Sequence, residues 1–147
     1  MAETISVTVT QKENYQFLVD FGAAMPDLIA DEPVPLGKGE GPAPTHMLAA
    51  AVANCLSASL LFSLKKFKQD AGGITTTATC VVDRNADNRL RVVQIDVAIQ
   101  LGKDAADFEH LDRALGQFEG FCTVTQSVQA GIPVTIAVTD GKGVRLE

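Results

Sequence analysis

The chain has no basic run longer than Lys65-Lys66-Phe67-Lys68, and its net charge is −6. Neutralisation of phosphates by Lys and Arg normally dominates affinity for DNA and RNA, so a nucleic-acid partner is disfavoured. Low-complexity tracts and internal repeats are also lacking. With 147 residues, 46% hydrophobic and 20% charged, the composition suits one ordered domain over residues 1–147 with its own core. The opening MAETISVTVTQ has no basic stretch leading into an apolar one, so no secretory signal is expected. Cysteine is scarce: Cys55, Cys80 and Cys122 lie far apart and are odd in number. That is not a secreted disulfide framework. The expected compartment is a reducing cytoplasm, where a cysteine pair serves redox chemistry more often than architecture.

Two further absences narrow the chemistry. Cys55, Cys80, Cys122, His46 and His110 show no close ligand spacing, so no metal site is expected. Gly37-Lys38-Gly39-Glu40-Gly41 looks like a phosphate loop, but the Walker pattern is missing and Pro42 and Pro44 interrupt the approach to the following helix. No bound cofactor is expected.

What the chain does have is an uncharged stretch, Met47–Leu64. Its length is at the lower limit for crossing a bilayer, but it holds Asn54, Ser57, Ser59 and Ser63 and much alanine, which favours a buried core helix over a membrane span. Thr45 is the expected N-cap, and the helix should run to about Asp70, ahead of Gly72-Gly73, for a length of ~39 Å at 1.5 Å per residue. Its first five turns are apolar on every side, so protein should surround it, and a second subunit is the natural way to complete that burial.

Around this helix the pattern predicts strands. Thr4–Thr10 alternates, Tyr15–Phe21 is its hairpin partner across Lys12-Glu13-Asn14, and Leu28–Ala30 is a short third strand. Glu32–Pro44 is a loop rich in proline and glycine. Ile74–Asp83 and Arg91–Leu101 form a second hairpin, followed by a helix from Asp104 with Phe108, Leu111, Leu115 and Phe118 on one face. A short helix begins near Cys122, and Ile132–Thr139 is the last strand. Strand pairs separated by helices make the fold class α+β rather than a parallel α/β sheet.

Of the cysteines, Cys122 at a helix start has a local reason to ionise, because the dipole and free N–H groups of a helix N-terminus stabilise thiolate. Cys55, three turns inside its helix, has none of its own and needs a cation or a donor from elsewhere. Cys80 reads as a packed strand residue. Residue types alone leave a second reading open, in which Cys55 and Cys122 only pack.

Two segments carry a resemblance. GEGPAPTHMLAAAVANCLSASLLFSLKK resembles the Pro-x-x-x-Leu-x-Ala-Ala-x-x-x-x-Cys helix of the OsmC/Ohr family, and CTVTQSVQAGIPVTIAV is similar to that family's second-cysteine helix and final strand. The resemblance implies an OsmC-like fold in which long central helices are enclosed by antiparallel β-sheets in an intertwined homodimer. It also implies a thiol peroxidase for organic hydroperoxides, with Cys55 peroxidatic and Cys122 resolving, and an external dithiol reductant, lipoyl-linked in the best-known branch. The family's supporting arginine and glutamate are not matched: no arginine precedes Arg84, and Thr45-His46 follows Pro44. Lys38 and His46 are the candidate stand-ins, although His46 is about 14 Å from Cys55 along one helix and would reach a thiol only across a dimer interface. The alternative is a protein of the same fold with weak or no peroxidase activity that binds a small apolar or electrophilic molecule in the dimer-interface pocket.

Overall fold

The structure is a computed structural model and describes residues 2–131; the strand expected over Ile132–Thr139 lies outside them. Three antiparallel strands, β1 (Thr8–Glu13), β2 (Gln16–Asp20) and β3 (Leu28–Ala30), form a small sheet in the order β1-β2-β3. β1 starts later than its alternation predicts and runs through the expected turn, because Asn14 takes the left-handed conformation (φ 50°) that reverses the chain.

The loop after β3 is organised by a buried carboxylate. Asp31 accepts backbone N–H bonds from Glu32 (2.8 Å), Lys38 (3.3 Å) and Glu40 (3.2 Å). Burial works against its charge, but those donors and the nearby Lys38 ammonium outweigh it and hold the carboxyl below its ordinary value. Gly37 is required here, since a Cβ would collide with the Asp31 carboxylate and the Glu32 backbone.

The long helix α1 spans Pro44–Lys66, about 34 Å. The N-cap is Ala43 rather than Thr45: Pro44 fits the first helical position, where its missing N–H costs nothing and its fixed φ is already helical. The helix stops at Lys66, short of Asp70. Lys68 is left-handed (φ 57°), its N–H donates to the Lys65 carbonyl, and Gln69 N–H donates to Leu64 O, which is a Schellman closure built without glycine.

One side of α1 is covered by the hairpin β4 (Ile74–Arg84) and β5 (Leu90–Leu101), antiparallel with an irregularity at Val81/Val82 that leaves Val93 unpaired. Ser57 Oγ bonds Thr76 Oγ1 (2.6 Å) across this contact. At one end, Leu60, Leu64, Ala71 and Ala114 form the core, with Ile99, Leu101, Phe108 and Leu111 packed around them.

The helix expected from Asp104 is broken. A 3-10 turn at Ala105–Asp107 precedes an extended Phe108 and a left-handed His110, and α2 covers only Leu111–Gln117. The interruption lets Phe108 reach the core, while Leu115, expected on the same apolar face, is exposed. A second 3-10 turn, Phe118–Phe121, leads into α3 (Thr123–Ala130).

By length and composition α1 is apolar enough to cross a bilayer, with a mean hydropathy of 1.9 over its best window. Its inner face is nevertheless protein-packed and carries the buried Ser59 and Ser63. The opposite face, including Leu61 (41% exposed) and the outer side of Phe62 (55%), is largely uncovered among the described residues. The enclosure on every side expected from the sequence is therefore incomplete among the described residues, where the β4–β5 hairpin and the short helical pieces after it lie against α1.

Candidate active site

Val52, Cys55, Leu56 and Ser59 share the inner face of α1, spaced one helical turn either side of Cys55. The segment carrying Cys122 is brought to them by α2. Ser63 Oγ donates to the Ala114 carbonyl (2.8 Å), both residues being fully enclosed, and Phe121 stacks edge-on against Phe62 (5.2 Å) beneath the Lys66 ammonium. These contacts fix the 3-10 turn that ends at Cys122.

Cys122 is the N-cap of α3. Its carbonyl accepts the Gln126 N–H (3.0 Å), and its N–H donates to Glu119 O (3.2 Å). The side chain is fully buried between α1 and α3, in one apolar cluster with Val52 and Leu56, with Cys55 packed against it. Its Sγ lies 3.0 Å from Thr125 Oγ1. As a thiol it donates to that hydroxyl; as a thiolate it accepts from it.

Cys55 packs against the cluster that holds Cys122, and the two thiols titrate as a pair. Burial opposes ionisation of Cys122. Against it stand the Cys55 thiol, the Thr125 hydroxyl and N–H and the Ser59 hydroxyl, which together draw Cys122 below the ordinary thiol value. Cys55 moves the other way. Burial, the neighbouring Cys122 side chain and its charge push it up, against the backbone N–H groups of Val124 and Thr125. The two thiols therefore move in opposite directions, Cys122 down and Cys55 up. The donors that Cys55 lacks in its own helix are the free N–H groups at the start of α3.

Beside the pair lies a largely apolar groove of about 530 Å³ between α1, β5 and α3, bordered by Leu56, Ile95, Val97 and Val128, with Gln94, Glu119, Thr125 and Gln129 as polar groups. No lysine, arginine or histidine among the described residues lines it.

Lys38 and His46 are placed elsewhere in the chain. Lys38 Nζ pairs with Glu13 Oε1 (3.0 Å) on the surface, and that partner raises its affinity for the proton. His46 Nδ1 accepts the Ala43 N–H (3.0 Å), so the imidazole closes the first turn of α1 in the position where a capping box carries Glu or Gln. Cys80 is half-buried in β4 and free. The sequence reading missed Ser59 and Thr125. Both had a signal: Ser59 is one turn after Cys55, and Thr125 is three residues after a cysteine at a helix start, where an N-cap side chain meets its partner.

Solved structures share this architecture. An OsmC-like protein of unknown function from Vibrio cholerae superposes with a TM-score of 0.74 at 18% identity, over 87% of this chain and 95% of that one. The organic hydroperoxide resistance protein of Elizabethkingia anophelis gives 0.70 at 17%, over 91% and 94%. OhrB of Bacillus subtilis, also an organic hydroperoxide resistance protein, gives 0.64 at 15%, over 90% and 96%. At these identities the likeness is one of fold: α+β, antiparallel sheets and three helices. No curated relative matches the chain in sequence. The OsmC-like protein model, however, matches residues 37–137, a span that begins in the Asp31 loop and takes in α1 with Cys55 and α3 with Cys122, and the chain belongs to that family.

Proposed function

We propose that the protein is a thiol peroxidase that reduces organic hydroperoxides through Cys55 and Cys122, acting as an intertwined homodimer. The observation that carries this reading is the contact between two thiols, at the start of α3 and beside an apolar groove. Such a pair suits attack on the O–O bond by Cys55, which becomes a sulfenic acid, and capture of that sulfenic acid by Cys122 before further oxidation. The substrate class follows from the groove, whose Leu, Ile and Val border favours an alkyl or aryl hydroperoxide over hydrogen peroxide. An external dithiol then reduces the Cys55–Cys122 disulfide, with a lipoyl-linked dithiol as the first candidate. A reducing cytoplasm, where the resting pair stays as thiols, is the matching compartment.

A second copy is the partner proposed for the uncovered face of α1 and for the groove of about 430 Å³ under the first sheet, bordered by Val9, Phe17, Phe21 and Met47. Sedimentation of the intact protein tests this, and a stable monomer would contradict it.

The activity test mixes reduced protein with cumene hydroperoxide or hydrogen peroxide and a dithiol, and follows peroxide consumption and thiol loss. Turnover that Cys55→Ser abolishes, with a Cys55–Cys122 disulfide in the wild type, is the expected result. Absence of a peroxide-dependent disulfide would refute the reading. One observation favours a second: burial and Cys122 push the Cys55 thiol up, and no arginine among the described residues borders the groove. A protein without turnover that still takes up a small apolar molecule in that groove would be a binding member of the fold.

A further inference from the structure

We propose that Glu119 sets the charge selectivity of the groove beside Cys55 and Cys122, so that uncharged alkyl and aryl hydroperoxides enter it and carboxylate-bearing ones are turned away. The inference rests on the peroxidase reading and narrows its substrate class.

The groove has an apolar floor and a polar rim. Leu48, Val52 and Leu56 stand on successive turns of α1 and lay ~12 Å of hydrocarbon along the helix, and β5 adds Ile95 and Val97. That surface suits the carbon skeleton of a ligand. The rim is formed by Gln94 from β5, Thr125 and Gln129 from α3, and Glu119 from the 3-10 turn before Cys122. An amide or a hydroxyl offers both donor and acceptor, so the first three accommodate any polar group. Glu119 differs from them. An ionised carboxylate only accepts, and Glu119 is the one ionisable side chain among the described residues that borders the groove.

The backbone of Glu119 ties it to the thiols. Its carbonyl accepts the Cys122 N–H (3.2 Å) and Gln126 Nε2 (3.1 Å), so the residue stays at the Cys122 end of the groove however its exposed side chain turns. A ligand with its peroxide at the sulfurs therefore lies beside this carboxylate. An anionic ligand meets two penalties there. Its own carboxylate sheds water against Leu, Ile and Val side chains, which is costly for an unpaired charge. It also faces a like charge, an arrangement that rejects the wrong partner. A neutral hydroperoxide meets neither. The first penalty belongs to the apolar floor and the second to Glu119, so substitution at the rim separates them.

The test compares two ligands of nearly one shape, cumene hydroperoxide and its para-carboxylate. Peroxide consumption with a dithiol gives kcat/KM for each. Binding is read separately, without turnover: the corresponding alcohols, cumyl alcohol and its para-carboxylate, displace the neutral dye N-phenyl-1-naphthylamine from reduced protein. At low salt the wild type should prefer the neutral member about tenfold or more in both readouts. Glu119→Gln should shrink that ratio roughly threefold, the scale of a charge acting through solvent at an exposed rim, and Glu119→Lys should shrink it further. High salt should lower the wild-type ratio more than that of Glu119→Gln. Asp27→Asn removes a negative charge outside the groove, in the loop before β3, and should leave the ratio where it is. Equal ratios in the wild type and both Glu119 variants would overturn the proposal. So would a wild-type preference for the carboxylate, or a groove that takes up neither the dye nor the alcohols. If neither hydroperoxide is turned over while the alcohols still show the Glu119-dependent ratio, the peroxidase reading fails and the charge selectivity stands.

Discussion

Replacing Ser63 with alanine removes one oxygen from the fully enclosed contact between α1 and α2. Two magnitudes compete. If the hydroxyl were the sole partner of the Ala114 carbonyl, its loss would strand a buried acceptor at a cost of about 1–3 kcal/mol. The carbonyl, however, also accepts the Phe118 N–H at the end of α2, so it keeps a partner. The ordinary net worth of one hydrogen bond, roughly 0.5–1.5 kcal/mol, is therefore the better figure. Alanine leaves a void of only about one atom, which adds little. An expected loss of ~1 kcal/mol corresponds to about 2–4 °C in Tm for a chain of this size. Urea unfolding of wild type and Ser63→Ala at matched protein concentration measures it, with Leu64→Ala as a reference for a true core cavity at about 2–5 kcal/mol. The substitution should also loosen the turn that presents Cys122, so disulfide formation should slow although no sulfur is touched. A loss above ~3 kcal/mol would mean that the Phe118 bond does not keep the carbonyl satisfied. No loss, with unchanged disulfide kinetics, would mean that α2 is not docked through Ser63.

Asp31→Asn should weaken the Glu32–Pro44 loop and flatten the acid limb of the stability curve. The folded carboxyl lies below its ordinary value of 3.8, so its contribution is present above that pH and is lost as the pH falls through the folded value. Urea midpoints at neutral pH and at about pH 3.5 should differ more in the wild type than in the variant, and equal differences would exclude Asp31 as the source. His46→Ala should cost about 0.5–1 kcal/mol by freeing the Ala43 N–H, whereas His46→Glu should match or exceed the wild type, because a carboxylate at that position accepts the same N–H and favours the positive end of the helix. A loss of the proposed peroxidase activity in His46→Glu at unchanged stability would instead place His46 at a thiol, across the proposed dimer interface.

Features set by local chemistry were legible before the structure. The hairpin β4–β5 is written in alternation, β3 in a short apolar run, and α1 in an uncharged stretch behind a proline. Boundaries shifted where one residue did something its type seldom does. Lys68 took a left-handed cap that glycine usually fills, His46 closed a turn usually closed by Glu or Gln, and Phe108 left its helical period because the core would otherwise lack its ring. The site divided along the same line. A cysteine at a helix start is visible in sequence, and Cys122 lies at one. What surrounds Cys55 is not visible, because its neighbours are backbone N–H groups and a sulfur about 67 positions away, brought close by the docking of α2 through Ser63 and Ala114. Charge stabilisation by a side chain such as arginine leaves a residue name in the sequence; stabilisation by the N-terminus of a helix leaves only a fold. With no matching arginine, the N–H groups of Val124 and Thr125 are what favours charge at Cys55, and burial and Cys122 outweigh them. The question of activation therefore moves to α3, whose placement depends on Ser63 and whose electrostatics depend on Thr125, and both can be altered without touching either cysteine.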